Sequence, residues 1–229
     1  MLLHFELHTD EGARPIEVEL DQLVIAGWAG RDLAAIEHHI EELAALGVSR
    51  PSKVPLYYRV SAQQLTQQAS VQVLGPHSSG EVEAFVFAAA DGQLLVSLLS
   101  DHTDRKLEAA SVALSKQICP KPVARSAWRL ADVAGHWDSL RLQAHIVENG
   151  KQVLYQDGPL ASLRSPQELI AGYTGGALAL PPGTGMSCGT VAALGGIRPA
   201  SRFSMALLDP QRGCRIEHSY AIDVLPEVA

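Results

Sequence analysis

Residues 80–101 read GEVEAFVFAAADGQLLVSLLSD, which is the most informative segment of the sequence. Asp91-Gly92 stands between two apolar runs, and this dipeptide is typical of the tight turn of a β-hairpin. The stretch therefore predicts two antiparallel strands, Val82–Phe87 and Leu94–Leu99.

The hairpin brings three carboxylates together. Successive side chains of a strand point to opposite faces, so Glu81 and Glu83 share one face. Folding the second strand back places Asp101 beside them. A two-residue loop would turn Asp101 to the opposite face and a three-residue loop would align all three, because one step of register exchanges the faces. The sequence leaves this choice open.

Three carboxylates on a partly buried surface repel one another, which raises a pKa or favours a bound cation. A hard divalent ion such as Mg²⁺ or Mn²⁺ suits ligation by oxygen atoms alone. The alternative interpretation is that Glu81 and Glu83 are a solvated end of the strand with no ligand.

The rest of the chain reads as further strands with one clear helix. Spacings of three and four predict a helix over Arg31–Leu46 that is ended by Gly47. The region from Gly172 to Gly196 is rich in glycine and proline, which indicates a structured loop region. Alternation or apolar runs predict strands at residues 3–7 and 16–20, which form a first hairpin, and at Val54–Val60, Val71–Leu74, Phe203–Leu208 and Tyr220–Val224.

Composition describes a globular protein with a real core. The 229 residues are 47% hydrophobic and 19% charged, which excludes a disordered or collagen-like chain. The net charge of −7 disfavours nucleic acid and membrane surfaces as partners. We expect one catalytic domain over 1–229, with a strand extension at 1–21 and a core at 22–225. Early acidic residues and three widely spaced cysteines predict a cytoplasmic protein with reduced thiols.

The predicted helix carries a possible acid–base pair. His39 and Glu42 are three residues apart and therefore neighbours on one side, where His39 borders the apolar stripe of Leu33, Ile36, Ile40 and Leu43. A hydrogen-bonded pair of this kind can act as a general base. A solvated pair without a function is the alternative.

Several short motifs follow one another in a characteristic order. They are Gly27-Trp28-Ala29-Gly30-Arg31-Asp32 before His39-Ile40-Glu41-Glu42, then Val54-Pro55-Leu56-Tyr57-Tyr58-Arg59, Glu81-Val82-Glu83, Ser100-Asp101-His102-Thr103-Asp104-Arg105, Ser115-Lys116-Gln117, Asn149-Gly150-Lys151-Gln152, Pro182-Gly183 and Cys188-Gly189-Thr190. In this order the sequence resembles the fumarylacetoacetate hydrolase superfamily over residues 22 to 225, and looks like a bacterial branch of unknown function. It departs from the family in a shorter segment between Glu83 and Asp101, in replaced Asn and Tyr residues before the helix, and in the lack of a Pro after Thr190.

The resemblance implies an α+β, mostly β fold, a mixed β-sandwich or β-roll with flanking helices, and a homodimer. It implies one Mg²⁺ or Mn²⁺ per chain, held by Glu81, Glu83 and Asp101. The implied reaction is hydrolysis of a C–C bond in a small acylpyruvate or β-diketo acid through an enolate. The resemblance assigns water activation to His39, which Glu42 orients, and it assigns to Lys116 the role of offsetting negative charge. The residues that it assigns to binding of the carboxylic acid substrate are Arg59, Arg105, Gly189 and Thr190.

Other functions stay open. The same metal site could serve decarboxylation, hydration or tautomerisation of a 2-oxo acid, because each proceeds through an enolate. Gly185-Met186-Ser187-Cys188-Gly189 matches G-x-S-x-G, and Asp209 and His218 follow in the order of an α/β-hydrolase. Too few residues follow Ser187 for that fold, so we disfavour it. A binding protein that keeps the fold without activity is a further alternative, and the three tryptophans are predicted to serve packing.

Overall fold

The structure is a computed structural model that describes residues 1–45 and 50–228, without the side chains of His39 and Leu43. The strands are β1 Leu2–Thr9, β2 Gly12–Glu19, β3 Gln22–Gly27, β4 Leu56–Ser61, β5 Leu65–Thr66, β6 Ser70–Leu74, β7 Ser78–Ser79, β8 Val82–Ala88, β9 Leu94–Ser100, β10 Thr103–Asp104, β11 Lys121–Pro122, β12 Ser126–Arg129, β13 Arg141–Glu148, β14 Lys151–Pro159, β15 Thr184–Thr190, β16 Arg202–Asp209 and β17 Cys214–Leu225. The α-helices are α1 Leu33–Ala45, α2 Arg105–Glu108, α3 Val112–Gln117, α4 Leu130–Val133 and α5 Pro166–Thr174. Short 3₁₀ helices span Ala62–Gln64, Ala134–Ser139 and Leu160–Ser162.

Two large sheets form the body of the protein. One has eight strands in the order β2-β1-β12-β9-β8-β15-β3-β4, and the other has five in the order β14-β13-β16-β17-β6. Two short strand pairs, β10 with β7 and β11 with β5, complete the strands. The predicted mostly β, α+β fold with flanking helices is confirmed. Within the described residues, every helix is too short or too polar to cross a lipid bilayer.

The eight-stranded sheet curls on itself. Phe5 on β1 stacks on Phe87 on β8 with ring centroids 4.7 Å apart. Two strands, β12 and β9, separate them in the sheet, so in a flat sheet the two strands would lie about 14 Å apart. The concave side of the curl is therefore filled by side chains from strands that are distant in the order, and this inner core includes Leu23, Ile25 and Phe85.

A second core lies between the two large sheets. Val82 and Val86 on β8 belong to it, as do Leu142 on β13 and Phe203 on β16. Alternate residues of β8 thus face different cores, and all seven residues of the strand are buried. Glu83 shares its strand face with Phe85, so its carboxylate is directed to the concave side of the curled sheet.

The hairpin geometry decides the position of Asp101. Val82 pairs with Ser100 and Ala88 with Leu94, and the Ala89 amide donates to the Gln93 carbonyl, which leaves a three-residue loop. The Asp101 amide donates to the Glu81 carbonyl at 2.9 Å. The three-residue alternative is therefore the one realised, and Asp101 aligns with the two glutamates.

Three expectations need correction. The strands within the predicted 1–21 extension are part of the main sheet, because β1 pairs in parallel with β12. The Gly172–Gly196 region contains β15, a central strand between β8 and β3. In α1, Leu33 is 60% exposed whereas Ile40 is 3% exposed, so the packing face is narrower than predicted. The predicted helix end at Gly47 lies outside the described residues.

Candidate metal centre

The three predicted carboxylates converge where β8 begins and β9 ends. One oxygen from each of Glu81, Glu83 and Asp101 can be chosen so that all lie within 4.8 Å of one another. Glu83 is 3% exposed and Asp101 is fully buried, whereas Glu81 is partly exposed. The cluster is therefore a buried acidic site that opens towards solvent on the Glu81 side.

Two lysines hold the carboxylate of Asp101. Lys116 Nζ on α3 donates to Asp101 Oδ2 at 2.5 Å, and Lys121 Nζ on β11 lies 3.1 Å from Oδ1. Lys121 also donates to the carbonyl of His102. Burial alone would raise the pKa of Asp101, but the two ammonium groups outweigh it and hold that pKa well below its ordinary value. Asp101 is thus a permanent anion.

Lys121 is a site residue that sequence reasoning missed. Its side chain is fully buried, and burial lowers its pKa although Asp101 opposes this shift. Its strand β11 has two residues and pairs with β5 across more than fifty residues of sequence. Local patterning carries no sign of such a strand, so the position of Lys121 depends on tertiary pairing.

Glu83 is held by donors from β15. The Ser187 hydroxyl and the Gly189 amide, the latter at 2.9 Å, both donate to Glu83 Oε2. Burial first, and then the negative charges of Asp101 and Glu81, raise the pKa of Glu83 to about 8. Near neutral pH, Glu83 therefore carries a proton in the absence of a cation.

Gly189 makes this contact possible. Its φ is +91°, and a Cβ there would lie 2.7 Å from the Cβ of Ala29. The β15–β8 pairing shifts register between Ser187 and Thr190, which turns the Gly189 amide towards Glu83. The Gly189 amide, which the resemblance assigns to binding of a substrate carboxylate, therefore donates to the carboxylate of Glu83 instead.

Glu81 is oriented by Arg105. Arg105 Nη2 lies 3.1 Å from Glu81 Oε1, its Nη1 donates to Glu108 at 2.9 Å and its Nε donates to the Ser79 hydroxyl at 2.8 Å. Burial opposes the charge on Arg105, but the two glutamates raise its pKa above the ordinary value. Arg105, for which substrate binding is predicted, therefore pairs with a carboxylate of the protein beside the cluster.

Gln156 joins the two strands that carry the site. From β14, its Oε1 accepts from the Val82 amide at 3.0 Å. Its Nε2 donates to the Thr190 hydroxyl at 2.8 Å and to the Val191 carbonyl at 2.6 Å. The Thr190 hydroxyl in turn donates to the Val82 carbonyl at 2.8 Å. Thr190, predicted to bind substrate, therefore connects β15 to the start of β8.

A buried polar chain supports the site from the second sheet. Tyr220 on β17 contacts His102 Nδ1 at 2.9 Å and the Ser100 hydroxyl at 2.8 Å, and His102 Nε2 contacts the Ser78 hydroxyl at 2.9 Å. Burial, followed by the charges of Lys121 and Arg105, lowers the pKa of His102 to about 3. His102 is a neutral structural residue.

Two other predicted residues, Arg59 and Glu42, make contacts with residues outside this cluster. Arg59 pairs with Val24 on the outer face of the curled sheet, and its Nη1 is 3.3 Å from the Tyr173 hydroxyl. Glu42 Oε1 lies 3.6 Å from Nδ1 of His38, and both side chains are exposed. The side chain of His39 is outside the described part of the structure, so its role stays a prediction.

The structure disfavours the serine hydrolase. Ser187 is fully buried in the middle of β15, and its hydroxyl donates to Glu83. Asp209 accepts a hydrogen bond from His136 at 2.8 Å, whereas His218 pairs with Met205 in the β16–β17 ladder. A nucleophile elbow requires an exposed serine on a turn between a strand and a helix.

The donor set fits a hard divalent cation. Three carboxylates supply oxygen ligands, and Asp101 Oδ1 is buried without a well-aligned hydrogen bond although Lys121 is close. The partial exposure of Glu81 leaves an open side for water or substrate. A cation here would also favour the ionised form of Glu83.

Comparison with known proteins identifies a sequence family and several solved structures with the same fold. The profile of a family described as protein of unknown function (DUF2848) matches residues 26–220. A search among curated proteins found no match. Among solved structures, a protein from Burkholderia cenocepacia proposed to be a fumarylpyruvate hydrolase has a TM-score of 0.61 at 19% identity, covering 98% of this chain and 96% of that one.

Two further structures share the fold. A yeast protein of the fumarylacetoacetate hydrolase family has a TM-score of 0.64 at 15% identity, covering 91% of this chain and 95% of that one. 2-Keto-3-deoxy-D-arabinonate dehydratase, in complex with magnesium and 2,5-dioxopentanoate, has a TM-score of 0.65 at 13% identity, covering 96% of this chain and 79% of that one. The chain therefore has the fold of the fumarylacetoacetate hydrolase family and belongs to the DUF2848 family.

Proposed function

We propose that this protein is a divalent-metal-dependent enzyme that cleaves a C–C bond in a small acylpyruvate-like acid. The observation that carries the proposal is the convergence of Glu81, Glu83 and Asp101, each held by its own polar partner. The magnesium and 2-oxo acid bound to a protein of the same fold support this choice of ion and ligand class.

The ion would be Mg²⁺ or Mn²⁺, held by the three carboxylates, and would supply a Lewis acid that stabilises negative charge on an enolate oxygen. The protein's own groups prepare the site for it. Lys116 and Lys121 fix the rotamer of Asp101, and Arg105 fixes Glu81. Because these partners are buried, the ligand oxygens are positioned before substrate arrives.

Lys116 has a second role in this proposal. Its side chain is 8% exposed, and its ammonium group lies between Asp101 and the ring of Tyr58. Burial opposes its charge, but Asp101 outweighs this and raises the pKa of Lys116 above the ordinary value. A permanent cation beside the ligand carboxylates would offset negative charge that develops on the substrate. The water-activating base remains His39, with Glu42 as its orienting partner, as the sequence predicts.

The experiment is an assay in buffers of defined metal content. Protein stripped with a chelator is tested on acylpyruvates, oxaloacetate and enol acids, before and after Mg²⁺ or Mn²⁺ is restored. We expect acylpyruvate cleavage only with metal, and loss of that activity in Glu83→Gln. The matched control is Glu217→Gln, an exposed glutamate on β17. If the assay shows metal-dependent decarboxylation or hydration in place of cleavage, the proposed reaction is wrong but the proposed metal site is retained.

A second arm addresses the serine hydrolase. Because Ser187 is buried and bonded to Glu83, fluorophosphonate probes should not label the protein. Ser187→Ala should retain measurable metal-dependent turnover, since it removes one of two hydrogen bonds to Glu83. Activity that persists in the presence of a chelator, together with covalent labelling of Ser187, would contradict the metal-dependent mechanism.

A further inference from the structure

Trp28 is an unusual residue in this fold. It directly follows β3 and has a φ of +61°, a conformation that costs a bulky side chain energy. The sequence predicts a packing role for all three tryptophans, and Trp128 and Trp137 are 2% and 4% exposed. Trp28 is partly exposed instead. Trp28 therefore differs from the two buried tryptophans in both backbone conformation and exposure.

The structure holds Trp28 against Tyr58. The indole Nε1 of Trp28 donates to the Tyr58 hydroxyl at 3.4 Å. The preceding residue, Gly27, leaves space for the Tyr58 ring, since a Cβ at Gly27 would lie 2.7 Å from it. Tyr58 pairs with Ile25, so its ring is on the concave face that also carries Glu83. The two aromatic side chains thus form a wall at the end of β3.

This wall is connected to the metal centre from two directions. Lys116 Nζ lies 5.8 Å from the centroid of the Tyr58 ring and is bonded to Asp101. On the other side, Ala29 fills the space that Gly189 leaves open, and the Gly189 amide is bonded to Glu83. Trp28 is therefore flanked by contacts that lead to two of the three ligand carboxylates.

We propose that Trp28 and Tyr58 form the wall that receives the acyl end of the substrate, and that they select a flat, π-bonded group such as a phenyl ring. The inference rests on the proposed function, because the metal centre would hold the 2-oxo acid end. Aromatic faces favour offset or edge contacts with other π systems beyond simple burial of area. Trp28 and Tyr58 are both amphipathic and partly exposed, which suits such a contact with a ligand.

The test compares two ligands that share a 2-oxo acid end and have rings of the same size. Phenylpyruvate and cyclohexylpyruvate are titrated by calorimetry into the full chain with Mg²⁺ present, with pyruvate as the reference. We expect phenylpyruvate to bind about 3- to 10-fold more tightly than cyclohexylpyruvate. In Trp28→Leu this ratio should fall to about one, and Trp28→Phe should restore most of it.

A matched control is Tyr173→Leu, which removes a partly exposed aromatic ring on the other face of the sheet. This variant should keep the wild-type ratio. Mg²⁺ binding is measured for each variant as a control for an intact metal centre. Equal binding of the two ligands by the wild type, or a preference that survives Trp28→Leu, would overturn the inference alone. If no 2-oxo acid binds to folded, Mg²⁺-loaded protein, the proposed function fails as well.

Discussion

Glu83→Gln separates the effect of a buried charge from that of a bound metal. Glu83 is 3% exposed, and burial together with Asp101 and Glu81 raises its pKa from 4.5 to about 8. Glutamine has nearly the same shape, and its side-chain oxygen can still accept from Ser187 and Gly189. The substitution therefore removes the charge and keeps the hydrogen bonds.

The sign of the effect follows from proton linkage. A carboxyl group with a raised pKa contributes its full stability below its unfolded pKa, near 4.5, and loses it as pH rises through about 8. Between about pH 6 and about pH 9, metal-free wild type should lose roughly 2–3 kcal/mol of unfolding free energy relative to Glu83→Gln. Titrating groups that do not interact with Glu83 are common to both proteins and cancel in the difference.

The assay is urea unfolding of both proteins across this pH range, first with a chelator and then with excess Mg²⁺. Without metal the variant should be the more stable protein at alkaline pH. With Mg²⁺ the free energy of unfolding of the wild type should rise by RT ln(1 + [Mg²⁺]/Kd), whereas that of the variant should rise little. The control variant Glu217→Gln should follow the wild type in both conditions.

Parallel stability curves for the two metal-free proteins would refute the reasoning about Glu83. They would mean that its charge is compensated in the folded state. A Mg²⁺ response of equal size in both proteins would separately remove Glu83 from the ligand set.

Three other substitutions test the surroundings of the site. Lys121→Met should lower the free energy of unfolding by about 3–5 kcal/mol in urea titrations, because it leaves the buried carboxylate of Asp101 with one counter-charge; a loss no larger than that of an average surface substitution would contradict this. Gln156→Met removes a buried amide that is hydrogen-bonded to the start of β8 and to the end of β15. The Mg²⁺ affinity measured by calorimetry should therefore fall, while the circular dichroism spectrum shows that the fold persists. An unchanged Mg²⁺ affinity would show that the two strands keep their positions without Gln156. His39→Ala should reduce kcat by about 10²–10⁴-fold in steady-state assays with Mg²⁺ affinity retained, and Glu42→Gln should reduce it less; full turnover by His39→Ala would assign water activation to another group.

Part of this site could be predicted from local sequence. The side-chain period of a strand is two, so the shared face of Glu81 and Glu83 follows from their spacing alone. Asp91-Gly92 likewise predicts the turn, because glycine readily adopts a positive φ such as the +82° of Gly92. The acid at the far end of the hairpin, Asp101, must then lie near both glutamates. These features are local, and the structure contains all of them.

The surroundings of the carboxylates depend on long-range strand pairing. The sequence allowed loops of two or three residues, and the paired strands on both sides of the hairpin select three, which turns Asp101 inward. The segment Thr184–Thr190 reads as a loop because it contains two glycines and little alternation, yet ladders with β8 and β3 on its two sides make it a central strand. Propensity is a weak local preference, and hydrogen bonds from two neighbouring strands together with burial on both faces exceed it. Lys121 also depends on a long-range strand pair. The three carboxylates of the cluster therefore follow from local spacing, whereas the groups that hold them follow from pairing between strands that are distant in sequence.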